Sequence, residues 1–92
     1  MNWRQIWRSD LIDMKINNGI DLFTIGSNLR EMREAKKVTQ LQVVEALDVS
    51  YTHYAKIEEG LRGMSLQMLF KLMAYFDTDA NSILGVSVKG VA

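Results

Sequence analysis

The most constraining feature of this sequence is a pair of short helix-forming segments separated by a tight turn. The first segment opens on Thr39, which can cap a helix while Gln42 at the third helical position reaches back to it. Asp48-Val49 then makes the turn, Ser50 is a good N-cap for the next segment, and Gly60 ends that segment. The pattern therefore predicts two short helices in immediate succession.

Three further helices are predicted around this pair, because apolar residues recur there at spacings of three and four. Ser65 and Asp79 are the capping residues expected for the last two. The five helices are expected to begin near Thr24, Gln40, Tyr51, Leu66 and Ala80, with Gly85 ending the last. We predict an all-α fold with one domain over residues 24–84, an N-terminal extension (1–23) and a short tail (85–92). The expected core residues are Ile25, Leu29, Met32, Val43, Val44, Leu47, Val49, Tyr54, Ile57, Leu66, Met68, Leu69, Phe70, Leu72, Met73, Tyr75, Phe76, Ile83 and Leu84.

The N-terminal extension has its own apolar pattern and ends in a turn signal at Asn17-Asn18-Gly19. Its large apolar side chains follow a helical spacing: Trp3, Ile6, Trp7, Leu11 and Met14. One interpretation is a helix that packs on the domain or on a partner subunit. Another is that Met14 is the natural start. A helix lying in a membrane interface is the least favoured, because Asp10 and Asp13 stand in the segment.

Composition excludes several classes of protein. The chain has no cysteine, which removes disulfides and thiolate metal sites. No apolar run approaches the roughly 20 residues that span a bilayer, and the start lacks a secretory signal, so we expect a soluble, cytoplasmic protein without a membrane partner. Eleven basic residues balance eleven acidic ones, so any nucleic-acid function must rest on local pattern rather than on net charge.

The residues that could carry catalysis or bind metal have simpler explanations. His53 is the only histidine, and a metal site would need further ligands. Glu58 and Glu59 are adjacent on a helix and diverge, so they cannot share a proton. Asp77 and Asp79 lie at a helix junction, where capping accounts for them. With no phosphate-binding glycine loop and no nucleophile elbow, we expect no enzymatic activity, no metal and no cofactor.

The third predicted helix has one face that suits DNA. Tyr54 and Ile57 point towards the other helices, whereas the opposite face points to solvent. A helix lying in a major groove needs hydrogen-bonding groups near its N-terminal end. The outward face provides them, together with one methyl group, in Tyr51, Thr52, Ala55 and Lys56. Helix-turn-helix spacing and this face together favour double-stranded DNA as the partner.

Residues 25–84 resemble the phage-repressor and Cro type of helix-turn-helix domain, also called the XRE-like family. The matching residues are Ile25-Gly26, Leu29-Arg30, Met32-Arg33, Thr39-Gln40, Val49-Ser50, Lys56-Ile57-Glu58, Gly60 and Ser65-Leu66. The resemblance implies a compact five-helix, lambda-repressor-like fold. It also implies a transcriptional regulator, such as a repressor, that binds a roughly palindromic operator as a homodimer. The expected dimer surface is helix 5 with the tail.

The same resemblance assigns roles to single residues. Tyr51, Thr52 and Lys56, with Ala55 beside them, are the implied base-reading positions. Gln40 is implied to touch phosphate and to orient Tyr51. Arg33 and Glu58 are implied to form an ion pair between helices 1 and 3. The full set of expected phosphate contacts is Thr39, Gln40, Ser50, His53, Arg62 and Ser65.

A second hypothesis keeps the fold and changes the function. Leu41, Leu61 and Met64 are apolar at positions expected to be exposed, and with Trp3 and Trp7 they could form a surface for a protein partner. The chain would then be an interaction module, for instance an antitoxin-like protein or one that binds DNA only in a larger complex. A purely structural oligomerisation domain is a third and weaker alternative.

Overall fold

The computed structural model describes residues 21–86, which form five consecutive α-helices and contain no β-strand. The helices are α1 (Leu22–Lys36), α2 (Gln40–Leu47), α3 (Tyr51–Glu58), α4 (Leu66–Phe76) and α5 (Ala80–Leu84). The all-α prediction is therefore confirmed for this part of the chain. None of these helices is long and apolar enough to cross a membrane. The predicted helix of the N-terminal extension and the tail beyond residue 86 lie outside the described residues.

Each helix begins at a side chain that caps its first turn. Those at Thr39, Ser50, Ser65 and Asp79 were predicted, and each accepts a hydrogen bond from the backbone N–H three residues later. The capping box of α2 is complete, since the Thr39 N–H donates to Gln42 Oε1 at 2.8 Å. Caps of this kind contribute about 0.5–2 kcal/mol each.

Helix α1 begins at Leu22, two residues before the expected start near Thr24. The reason is a cap that the sequence reading missed: the Asp21 carboxylate accepts hydrogen bonds from Thr24 N at 3.0 Å and Thr24 Oγ1 at 2.8 Å. These hydrogen bonds hold the pKa of Asp21 below its ordinary value. Thr24 is therefore the third residue of α1 and not its cap.

Left-handed residues end four of the five described helices and keep the loops short: Gly85 after α5, and three residues that are not glycine. Lys37, Asp48 and Asp77 have φ values of 61°, 56° and 51°. Asp48 lies in the predicted turn between α2 and α3, where an aspartate can adopt this conformation at moderate cost, and its N–H donates to Val44 O. Each of these two helices spans only eight residues, or about 12 Å, and is too short to be stable alone. Their stability comes from packing.

All five helices contribute to one core, in which α1 packs on α3, α4 and α5, and α2 packs on α3 and α4. Most of the predicted core residues are buried or half-buried there. The largest side chains that are fully buried are Tyr54, Leu29, Ile57, Leu72, Ile83 and Val43. Two polar contacts fasten the periphery: Asn28 Nδ2 donates to Ile83 O at 3.1 Å, and Lys71 Nζ donates to Leu47 O at 3.0 Å.

Two of the expected core residues of α4 are exposed instead. Leu66 is 73% exposed and Phe70 is 63% exposed. The buried stripe of α4 runs through Met68, Leu69 and Leu72. At about 100° per residue, Leu66 and Phe70 lie roughly 100° or more around the helix from the centre of that stripe. The prediction that Leu66 and Phe70 are buried was wrong because the apolar residues of α4 extend around more of the helix than the other described helices cover.

Met64 differs from its prediction in the other direction. It was expected to be exposed, but it is half-buried and packs against the core. Leu41 and Leu61 are exposed, as expected. The loop between α3 and α4 turns Met64 towards the core and leaves Leu61 exposed. Of the three apolar residues expected on the surface, only Leu41 and Leu61 are therefore fully available to a partner.

Gly26 marks the closest approach of α1 to α3. A Cβ atom at this position would lie 2.4 Å from Glu58 O and 2.5 Å from Ile57 O, both backbone atoms. A side chain here could be accommodated only if the backbone of α1 or α3 shifted, so only glycine fits where the two helices cross. The crossing also holds the C-terminal end of α3 against α1.

We predict that Gly26→Ala lowers the free energy of unfolding by about 1–3 kcal/mol, the usual cost of overpacking, despite the better helix propensity of alanine. Gly63→Ala is the matched control, because its Cβ would meet only Leu22 Cδ2 at an ordinary 3.7 Å. Urea denaturation followed by circular dichroism measures both variants. Equal stability of the two would contradict the close crossing.

Candidate nucleic-acid interface

The polar centre of the domain is the buried carboxylate of Glu58 at the C-terminal end of α3. Its side chain is fully buried, and Arg33 of α1 holds it with two hydrogen bonds. Arg33 Nε donates to Glu58 Oε2 at 2.7 Å, and Arg33 Nη2 donates to Glu58 Oε1 at 3.1 Å. This two-point geometry fixes angle as well as distance. The pair implied by the family resemblance is thus brought together across α1 and α3.

Other groups extend the ion pair to neighbouring segments. Arg33 Nη1 donates to Val38 O at 3.1 Å, which ties the loop before α2 to the same guanidinium. Arg30, half exposed on the preceding turn of α1, places its Nε 3.7 Å from Glu58 Oε1. One carboxylate therefore receives cationic partners from two turns of α1. The angle between α1 and α3 is set by charge as well as by apolar packing.

These partners keep Glu58 ionised. Burial by itself raises the pKa of the carboxyl, but the Arg33 guanidinium, the nearby Tyr54 hydroxyl and the Gln40 amide together outweigh burial and hold the pKa below 4.5, its ordinary value. The neighbouring Tyr54 hydroxyl is buried without a hydrogen-bond partner of good geometry among the described residues. Burial raises the pKa of Tyr54, so it stays neutral.

Gln40 connects this buried centre to the surface. As the first residue of α2, it directs Nε2 to Glu58 Oε1 at 2.9 Å, while its Oε1 accepts a hydrogen bond from Tyr51 Oη at 3.1 Å. Tyr51 is the first residue of α3, and its side chain is about half exposed. The resemblance implied that Gln40 orients Tyr51, and the two side chains are in contact. The sequence reading missed the further link from Gln40 to Glu58.

The rest of the predicted reading face lies on the outer side of α3. Thr52 is exposed, while Ala55 and Lys56 are partly exposed. Tyr54 and Ile57, on the opposite side of the helix, are fully buried. The division of α3 into a buried face and an outward face therefore follows the predicted pattern.

The expected phosphate contacts are more dispersed. Thr39, Ser50 and Ser65 stand at the N-termini of α2, α3 and α4, each with its oxygen engaged as a cap. His53 and Ser65 come together as walls of a cleft of about 150 Å³ between α3 and α4. Arg62 is exposed in the loop between those helices.

The cleft itself was not predicted, because its remaining walls come from segments far apart in the sequence: Val49, Gln67, Met68 and Lys71. Its mixture of apolar and polar walls carries no sequence motif. Within residues 21–86, no three side chains of the metal-binding types gather into a possible metal site.

We predict that Glu58→Gln lowers the free energy of unfolding by about 3–5 kcal/mol at pH 7, because it leaves the Arg33 charge without its counter-ion. The pKa of Glu58 is lower in the folded protein than its ordinary 4.5. The contribution of the ionised group is therefore complete above pH 4.5 and is lost as the pH falls through the folded value. The difference between the two proteins should shrink towards pH 3.

Urea denaturation at pH 7, 5 and 3 measures this difference. Glu59→Gln is the control, since it makes the same change at the adjacent, exposed position. A stability difference for Glu58→Gln that stays constant from pH 7 to pH 3 would show that the carboxylate is not the ionised partner of Arg33.

Known structures share this arrangement of helices. The restriction-modification controller protein C.AhdI from Aeromonas hydrophila aligns with a TM-score of 0.63 and 27% identity, over 67% of this chain and 94% of its own. The clp gene regulator ClgR from C. glutamicum aligns with a TM-score of 0.63 and 24% identity, over 77% of this chain and 92% of its own. The hypothetical transcription factor NHTF from Neisseria aligns with a TM-score of 0.65 and 17% identity, over 76% of this chain and 80% of its own. The last two likenesses concern the fold alone.

A helix-turn-helix family model matches residues 29–83, which include the whole of α2, α3 and α4. No curated protein sequence matches the chain. The family consists of DNA-binding proteins without enzymatic activity, so the prediction that the chain is not an enzyme is confirmed. The family match agrees with the two capped helices α2 and α3 and with the ion pair that joins α1 to α3, and the chain therefore belongs to the XRE-like helix-turn-helix family.

Proposed function

We propose that the protein is a small transcriptional regulator that binds a specific double-stranded DNA sequence as a dimer, with α3 in the major groove. The observation that carries this proposal is the outward face of α3, held at a fixed angle by the buried Arg33–Glu58 pair. A helix that reads bases must present the same side chains at the same depth in every complex. The ion pair supplies that rigidity.

The base-reading residues proposed are Tyr51, Thr52, Ala55 and Lys56. Lys56 can donate to guanine O6 and N7, and Thr52 can donate or accept. Ala55 offers a methyl contact to thymine. These residues occupy the first turns of α3, which is the part of such a helix that reaches base edges.

Phosphate contacts are proposed at the N-termini of α2, α3 and α4. A helix N-terminus presents backbone N–H groups and a favourable dipole to an anion. At α2, Gln40 uses one amide hydrogen for Glu58 and retains a second for phosphate. The hydroxyls of Thr39, Ser50 and Ser65 accept from backbone N–H groups and keep their own hydrogens free to donate. His53 and Arg62 complete the set.

The dimer is proposed to form through α5 and the residues that follow it. Ala80, Leu84 and Val86 are apolar and only half-buried at this end of the domain. A two-fold dimer would place its two copies of α3 about 34 Å apart, one turn of the DNA helix, on a palindromic site.

Charge balance shapes the expected affinity. Between Leu29 and Arg62, six basic residues are matched by six acidic ones. Each net phosphate contact contributes about −0.9 to the slope of log affinity against log salt. We therefore expect a shallow salt dependence, and a binding energy in which base contacts have a large share.

A second candidate function rests on exposed apolar side chains. Besides Leu41 and Leu61, the surface carries Phe23, Leu66 and Phe70. Large apolar side chains grouped on a surface mark sites of protein association. An interaction module of the same fold would use them in place of the α3 face.

Selection from random duplex DNA by the full chain tests the proposal. We predict enrichment of a palindrome with half-sites about one helical turn apart, because a two-fold dimer reads the same bases twice. Enrichment of no sequence, together with a co-purifying protein, would contradict the regulator and favour the interaction module.

Lys56→Ala provides the matched test on the selected duplex. It should weaken binding in fluorescence anisotropy by roughly tenfold, the effect of losing one good base contact of about 1.4 kcal/mol. Lys36→Ala is the control, because it removes the same charge at a place away from the proposed DNA surface. Lys36 lies beside Tyr75, which is about 15 Å along α4 from the N-terminus of that helix, so this variant should bind like the parent. Equal affinities of the two variants would contradict the proposed position of α3.

A further inference from the structure

Three side chains form a hydrogen-bonded relay from the core to the proposed DNA surface. Glu58 accepts from Gln40, and Gln40 accepts from Tyr51, over distances of 2.9 Å and 3.1 Å. The relay begins at a side chain with no solvent exposure and ends at one that is about half exposed. Both hydrogen bonds are donated towards the core, and this direction determines which bases Tyr51 can recognise.

The buried end of the relay allows only one orientation of the Gln40 amide. An ionised carboxylate has no hydrogen to donate, and Glu58 is held ionised by Arg33. The Gln40 group that faces Glu58 must therefore be the NH₂ group. If the amide were turned over, its carbonyl oxygen would face the carboxylate oxygen at 2.9 Å, inside the protein and without a hydrogen between them.

The orientation of the amide then decides what the tyrosine does. With its NH₂ group on Glu58, Gln40 presents a carbonyl oxygen to Tyr51, and a carbonyl oxygen can only accept. The single hydrogen of the Tyr51 hydroxyl is consequently used within the protein. Outwards, the hydroxyl oxygen offers lone pairs alone.

We propose that Tyr51 reads an exocyclic amino group, the N6 of adenine or the N4 of cytosine, and that the buried Glu58 sets this preference through Gln40. In the major groove these amino groups are the donors that an accepting oxygen can meet, whereas guanine O6, thymine O4 and purine N7 are acceptors. This inference rests on the proposed function, since it requires α3 to lie in the major groove.

The same relay argues against a phosphate contact for Tyr51. Phosphate oxygens are acceptors, so they would face the lone pairs of the hydroxyl rather than its hydrogen. To donate to a phosphate, the Tyr51 hydroxyl would have to give up its hydrogen bond to Gln40. Glu58 thus acts on specificity as a positioning residue, without touching the DNA.

The test uses the full chain and starts from operator selection with the parent protein and with Tyr51→Phe. The base pair at which only the parent shows a preference is the Tyr51 position. We expect adenine or cytosine there, on the strand that faces Tyr51. Replacing that base by N6-methyladenine or N4-methylcytosine removes the N–H that points into the groove and leaves base pairing in place. Parental binding should weaken roughly tenfold or more, and Tyr51→Phe binding should not change.

Gln40→Met gives a second reading, because methionine keeps the length of the side chain but cannot hold the Tyr51 hydroxyl. This variant should discriminate less between the methylated and unmethylated duplexes than the parent does, because the released hydroxyl can donate as well as accept. If the parent selects a purine at the Tyr51 position, replacing that purine by its 7-deaza analogue removes the N7 acceptor. A loss of binding for the parent but not for Tyr51→Phe, with no loss on methylation, would show that Tyr51 donates and would overturn the inference alone. Selection that enriches no sequence with the parent would overturn the proposed function and the inference together.

Discussion

The buried carboxylate of Glu58 is the interaction on which the rest of this domain depends. It lies at the end of a helix of eight residues that would not be stable alone. Arg33 anchors it to α1, the longest of the described helices, and Gln40 joins it to α2. Three helices therefore share one charge. Because that charge is buried, the loss of any partner costs much more than the loss of a surface ion pair.

Apolar packing and this polar centre have different tasks. The packing of Tyr54 and Ile57 brings α3 onto the core, and the close contact at Gly26 fixes how near α1 can come. Apolar contacts alone tolerate rotation and sliding, since they have no direction. The paired hydrogen bonds between Arg33 and Glu58 are directional and select one arrangement. A domain that reads bases needs that single arrangement more than it needs additional stability.

Much of this could be predicted from sequence, because local rules govern it. Capping residues placed the starts of four helices, and Asp48 placed the turn of the helix-turn-helix. The errors arose where tertiary context decides. Leu66 and Phe70 fit an apolar spacing but lie on a face that no described helix covers. The cap at Asp21 is a different case, because its hydrogen bonds to Thr24 are local and an Asp three residues before a Thr is a signal that the sequence carries. The hydrogen bond between Gln40 and Glu58 joins positions 18 residues apart, and no local pattern indicates it.

The proposed DNA surface is the outward face of α3, which Glu58 holds in place from inside the domain. The most direct measurement is a titration of the isotopically labelled full chain with its selected duplex, followed residue by residue in amide NMR spectra. We expect the largest changes in chemical shift on the first turns of α3 and on Gln40, with little change around Phe70. Changes concentrated around Leu61, Leu66 and Phe70, with α3 unaffected, would contradict this proposal.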